Sequence, residues 1–165
     1  MEMTRVTRGR NQRGNTTLEG ALVLLPLMAL GFAMLDFPLS IFIQNTLRSA
    51  VREGVRFAIT QQTGPSGQDA AIKSVVESNS MGFLNDADIS AGNSTFSITY
   101  YKVDPATGSL TTSGATNDAG NVIVISAAIK TKFMAPLWRS SGLLSFSATS
   151  SDMMEAPPNN TPVAR

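Results

Sequence analysis

Residues 20 to 43, GALVLLPLMALGFAMLDFPLSIFI, are apolar on every side of a helix, with Asp36 as the one charge among them. A hydrocarbon core of roughly 30 Å is crossed by about 20 such residues in helical form. The stretch therefore predicts a membrane-spanning helix. Pro26 and Pro38 each remove a backbone hydrogen bond and tend to kink it, which membrane helices tolerate better than soluble ones. A secretory signal has an apolar core of about 7 to 15 residues and then a small-residue cleavage site. This longer stretch lacks that site at its far end and reads as a retained anchor.

From Gln44 the pattern turns one-sided. In QNTLRSAVREGVRFAITQQ, Leu47, Ala50, Val51, Gly54, Val55 and Ala58 recur at helical spacing, and the basic residues take the opposite side. The helix is expected to leave the membrane as an amphipathic extension. Gly64, Pro65, Ser66 and Gly67 supply a turn, and QDAAIKSVVES predicts a second helix with Ile72, Val75 and Val76 on one face, ending near Asn79.

Beyond residue 90 the periodicity shortens. FSITYYKV (96 to 103), NVIVISAAIKTKF (121 to 133) and LLSFSATSS (143 to 151) are rich in β-branched and aromatic residues and predict three strands. DPATG (104 to 108) is a turn sequence, and the Gly, Ser, Thr and Asn run up to Asn121 is a surface connection with room for a poor strand. Pro136 should break any strand around it. The tail from Ala156, with three prolines, has little to bury and is expected to be disordered or loosely attached. Helices first and an antiparallel sheet afterwards make the fold class α+β.

Composition narrows the function. The 165 residues suit one compact domain plus a span. The formal net charge is only +1, yet Arg5, Arg8, Arg10 and Arg13 crowd the N-terminus. By the positive-inside rule this end stays cytoplasmic and everything after about Ile43 is exported. No nucleic-acid-binding face is indicated. The absence of cysteine removes disulfides and thiolate metal sites, and the absence of histidine removes the usual general base and commonest metal ligand. No phosphate loop, dinucleotide glycine pattern or nucleophile elbow appears. Asp86, Asp88 and Ser90 begin like a calcium loop, but the glycine falls seventh, at Gly92, and Ser97 stands where the twelfth-position acid belongs. They read as a polar loop. The expectation is a chain with no cofactor, no metal, no small-molecule substrate and no enzymatic activity.

The sharpest motif is RGNTTLEGALVLLP: Gly14 ends the basic leader, Glu19 stands five residues later, and apolar helix follows. It resembles the processing signal of type IV prepilins. The resemblance implies that an inner-membrane prepilin peptidase cuts between Gly14 and Asn15. An ionised carboxylate inside a bilayer costs roughly 2.5 to 3.5 kcal/mol on insertion scales, so such groups usually have a partner. Cleavage supplies one: the new α-amino group at Asn15, with a pKa near 8, is largely cationic and can pair with Glu19 of a neighbouring subunit. The bland alternative is a glutamate that snorkels to water at the interface.

Classical pilins begin with phenylalanine where this chain has Asn15, and they often carry a disulfide that this chain cannot form. The combination of LEGALVLLPLMALGFAMLDF with RSAVREGVRFA is similar instead to TadE-like proteins, pseudopilins of the tight-adherence (Tad) pilus systems. That resemblance covers about the first 60 residues; IKTKFMAPLW and LLSFSATSSDMMEA are similar, less specifically, to the family's closing strands. It implies a pilin-like fold, a long transmembrane helix continuing into an amphipathic helix packed on a small antiparallel sheet. The implied segments are a leader (1–14), the membrane helix (15–43), its amphipathic extension (44–63), an extracytoplasmic domain (64–155) and the tail (156–165).

The implied function is that of a minor pilin or pseudopilin supporting assembly of the Tad pilus. Its partners would be other pilins and pseudopilins, the prepilin peptidase and the Tad inner-membrane platform. Asp36, about 25 Å along the helix from Glu19, either marks the outer interface or pairs with a basic group. Arg48, Arg52 and Arg56, with Glu53 beside them, form either a solvated face or a contact for lipid phosphates or acidic groups of partner pilins. The competing reading is an uncleaved, signal-anchored extracytoplasmic binding domain.

Overall fold

The computed structural model describes residues 13–132, 143–157 and 161–165. Helix α1, Arg13–Ile59, is unbroken for 47 residues and carries Pro26 and Pro38 within it. At 1.5 Å per residue it is about 70 Å long, more than twice the thickness of a hydrocarbon core.

Burial divides this helix in two. Leu18, Leu22, Leu25, Leu30, Met34 and Phe37 are all more than half exposed, whereas Leu47, Ala50, Val51 and Ala58 are at most 1% exposed. A run of large apolar side chains left outside the domain needs lipid or neighbouring helices around it. The outer half is instead covered by the chain's own domain, as its one-sided pattern predicts.

Helix α2 (Gln68–Asn79) turns back along α1, and a short helix α3 (Asp86–Ser90) follows. Strands β1 (Ser94–Val103), β2 (Leu110–Thr111), β3 (Val122–Lys132) and β4 (Leu143–Met153) form one antiparallel sheet in the order β2-β1-β3-β4. α1 lies across β3 and β4, with α2 beside it. Strand alternation sends Ile123, Ile125, Ala127 and Ile129 of β3 inward with Tyr100 and Ala148, where they meet Leu47, Val51, Val55, Ile72 and Val76. Each fully buried leucine, isoleucine or valine among them contributes about 1.5 to 3 kcal/mol. The other face of the sheet carries hydroxyls: Ser97, Ser126 and Thr149 stand in one cross-strand row, and Ser126 and Thr149 hydrogen-bond at 3.0 Å.

The sheet stands with its strands along α1. Gln44 of α1 bonds the backbone at Ser147, while Glu155 just past β4 bonds Ile59 at the helix end. α1 and β4 therefore run the same way, from the membrane-proximal end of the domain outward.

The structure departs from the sequence reading in several places. The supposed polar loop near residue 88 is a helical turn, because the Asn85 side chain caps it by accepting from the Asp88 amide at 2.9 Å. β1 begins two residues earlier than expected and β4 ends two later, and the poor strand between them exists as β2. The expected Pro136 break lies outside the described residues, as does the leader through residue 12.

The tail shows the largest difference. Instead of lying free, Val163 and Ala164 bind through their carbonyls to the Asn117 side chain and the Gln68 amide, each at 2.8 Å. The Arg165 guanidinium lies 4.4 Å from the Tyr100 ring centroid and 3.2 Å from Asp69. Gly67, with φ at +94°, makes room for it, since a Cβ there would collide with the Arg165 carbonyl. Polar and cationic contacts hold these residues where apolar burial cannot.

Candidate assembly and membrane sites

Backbone residues Arg13 to Asn15 already belong to the first turn of α1, so the Gly14–Asn15 bond lies in a helix end. Glu19, one turn further, is exposed on the apolar half of the helix. It has no hydrogen-bond or ion-pair partner among the described residues.

Asp36 is placed differently from a residue that faces lipid. It is 8% exposed, the first buried position along α1 among the described side chains, and its backbone carbonyl accepts from Ser40 at 2.8 Å. Among the described residues it is the only carboxylate so buried. Nearby, Phe42 of α1 meets Phe83 edge-on at 6.1 Å and closes the base of the domain.

The arginine row does not act as one surface. Each step of four residues turns about 40° around the helix, so the row drifts across the exposed face. Arg48 and Arg52 border β4, lining a groove of about 290 Å³ with Ser147, Ala148 and Thr149. Glu53 and Arg56 line another, of about 430 Å³, with Phe57, Thr60 and Val75 on the α2 side. None of the three arginines has an ion-pair partner among the described residues.

Gly54, within the same Arg-Glu-Gly run, faces inward. A Cβ on it would overlap Val76 of α2 and touch Ile125 of β3 at 3.5 Å. Its smallness sets how closely α1 approaches α2 and the sheet.

Two polar clusters escaped the sequence reading. At the distal end, Asn117 donates to Gln68 Oε1 at 2.7 Å, Gln68 Nε2 donates to the Ala58 carbonyl at 3.0 Å, and Gln61 Nε2 donates to the Asn117 carbonyl at 2.9 Å. This buried amide network gives a side-chain donor to the Ala58 carbonyl, in the last turn of α1. Beside it the Tyr100 hydroxyl donates to Asp69 at 2.7 Å, and burial followed by that bond pushes the phenol pKa up. At the proximal end Lys73 pairs with Asp86, tying α2 to α3. That bond raises the Lys73 pKa, while desolvation and then Asp86 raise that of Glu77. Asp86 and Asp88 are thus engaged by Lys73 and Asn85. No residue spacing in the sequence signals which partners meet in either cluster.

One long apolar helix, free along its first half and seated by its second half on a small antiparallel sheet, defines a membrane-anchored, pilin-like α+β protein. Residues 14–56 match the family model described as TadE-like protein, so the helix that builds these sites is similar to that of TadE-like proteins. The matched segment runs from the glycine of the leader motif through Arg56, and so contains Glu19, Asp36 and the whole Arg-Glu-Gly run. No curated protein and no solved structure matches the chain.

Proposed function

We propose that this chain is a minor pilin or pseudopilin of a Tad-type pilus, a structural subunit cut between Gly14 and Asn15 and working through contacts with other pilins, pseudopilins and the inner-membrane platform. The observation that carries this is the division of α1. Its first half exposes a continuous apolar surface interrupted by Glu19, and its second half is the domain's central packing element. Such a subunit rests in the inner membrane, N-terminus inward, and offers the same surface to neighbouring helices when assembled.

Processing fits the local chemistry. A peptidase needs an extended backbone, and the first turn of a helix, whose N–H groups lack intrahelical partners, unwinds most cheaply, the more so at a glycine with its wide backbone freedom. The exposed carboxylate of Glu19 then has a counter-charge in the α-amino group of Asn15 on a neighbour.

The test is mass spectrometry of protein extracted from membranes of cells that carry a prepilin peptidase. An N-terminus at Asn15 is expected. An intact leader in those cells would overturn the reading and leave an uncleaved signal-anchored binding domain in its place.

A further inference from the structure

The open edge of β4 has an arrangement that assembly by helix packing does not use. Lys130, next to Ile129 on β3, gives its amide to Asn93 on the β1 side, so Ile129, Ala127 and Ile125 direct their backbone groups to β4. Their partners Phe146, Ala148 and Ser150 are therefore bonded inward. Ser145, Ser147, Thr149 and Ser151 direct theirs away from the sheet. Among the described residues only the Ser147 carbonyl meets a partner there, the Gln44 side-chain amide at 2.8 Å. That amide takes up the acceptor that an N–H of an added strand would otherwise use.

Directly along this edge lie Arg48 and Arg52, without an ion-pair partner among the described residues, in the groove with Ser147, Ala148 and Thr149. Four residues of helix rise about 6 Å, and alternate residues of a strand are about 6.7 Å apart. Two carboxylates spaced two residues apart on an added strand thus match the two guanidinium groups.

We propose that the edge of β4 receives an extended acidic segment of another protein subunit, which adds as a strand beside Thr149 and Ser151 and sets alternate carboxylates on Arg48 and Arg52. Main-chain bonds supply affinity and the two ion pairs supply selectivity and register. A phosphate headgroup fits less well, because it brings only acceptors to an edge that also presents carbonyls. A second copy of β4 fits less well too, because it would bring Arg48 and Arg52 of both chains to one seam. Charges beside an open edge also discourage indiscriminate strand addition, which an acidic partner turns into attraction. The proposal deepens the assembly reading and rests on it only in taking the partner to be another subunit.

The experiment uses the full chain in nanodiscs of phosphatidylcholine and an acetylated peptide, Thr-Val-Glu-Val-Glu-Val-Thr, with its glutamine counterpart as control. Fluorescence anisotropy should show salt-sensitive binding of the glutamate peptide. Binding should weaken about tenfold or more for the glutamine peptide and for Arg48→Gln with Arg52→Gln, and stay unchanged for Arg56→Gln. Hydrogen exchange should slow at the amides of Thr149 and Ser151. Binding that ignores the two arginines, no binding up to millimolar peptide, or unchanged exchange at those amides would overturn the proposal. So would arginine-dependent binding to discs containing phosphatidylglycerol without any response to the peptide, which would assign the groove to lipid headgroups. None of these readouts depends on leader cleavage or piliation, so failure here is distinguishable from failure of the pilin reading.

Discussion

Gly54 of α1 lies directly beneath the side chain of Val76 of α2, so closely that a methyl group on Gly54 would occupy the space of Val76 Cγ2. Val76 is fully buried and Ile125 and Ile72 close the other sides of the contact. Glycine inside a helix costs about 1 kcal/mol relative to alanine, and the close helix approach offsets it. Gly54→Ala should therefore lower stability by about 1 to 3 kcal/mol, the usual cost of overpacking, despite the better helix former. Val76→Ala alone leaves a cavity, yet combined with Gly54→Ala it should cost less than the sum of the two. Thermal unfolding followed by circular dichroism checks both; an unchanged or raised midpoint for Gly54→Ala would mean that the helices simply move apart.

Much of this architecture was legible because apolar periodicity reports burial. The switch at Gln44 from apolar throughout to one-sided marks where α1 meets the sheet, since Ile43 and Leu47 are buried and Leu35 and Phe37 are not. Gly54 was visible as part of the inward stripe, and its fit under Val76 was not, because nothing in sequence reports interhelical distance. The arginine row likewise read as one face. Its division between β4 and α2 depends on which elements flank the helix, and of these α2 follows closely in sequence while β4 comes from residues nearly a hundred positions later. Asp36 was legible as a boundary charge but not as buried, for the same reason. The tail misled most: three prolines and few apolar residues predict disorder, while a single guanidinium over Tyr100 and two carbonyls on Asn117 and Gln68 suffice to seat it.

Asn117 should be the most sensitive polar position. Its side chain serves the fully buried Gln68 and the Val163 carbonyl, and its own carbonyl receives Gln61. Asn117→Ala strands Gln68 Oε1 without a donor, a loss of about 1 to 3 kcal/mol. The tail should loosen as well. Chemical denaturation measures the first effect, and faster hydrogen exchange at the Gln68 amide, now bonded to Ala164, measures the second. Exchange at that amide unchanged from the parent would show that the tail is held by Arg165 alone.

Tyr100 gives a pH dependence. Desolvation and the bond to Asp69 hold its phenol pKa above the ordinary 10.0. A group whose pKa is raised by folding contributes stability that is complete below the unfolded value and is lost as pH rises through the folded one. Stability should therefore be insensitive to this group at neutral pH and fall above about pH 10. In a Tyr101→Phe background, Tyr100 is the one remaining tyrosine of the chain's 2, and its ultraviolet absorbance should titrate later than a free phenol. Asp69→Asn, which removes the acceptor charge, should bring the midpoint back down. A midpoint at the free-phenol value in the parent would show that water reaches the hydroxyl.

Glu19 isolates the assembly contact from everything that folds the domain. It lies on the exposed half of α1, far along the helix from the first domain-buried position at Asp36, so replacing it leaves the core, the amide network and the β4 edge untouched. Glu19→Ala should insert and be cleaved at Gly14 as before, and removing a carboxylate from an apolar segment should make insertion more favourable by about 2 to 3 kcal/mol. The variant nevertheless should lose incorporation or pilus function, because the α-amino group of Asn15 on the neighbouring subunit has lost its counter-charge. Glu19→Gln separates charge from shape: it keeps length and hydrogen bonding, so a defect equal to that of alanine assigns the role to the charge. Cell-surface piliation counted by microscopy, alongside membrane levels of the processed chain, distinguishes these outcomes. Normal piliation in Glu19→Ala would reduce the carboxylate to a residue that merely reaches water at the interface.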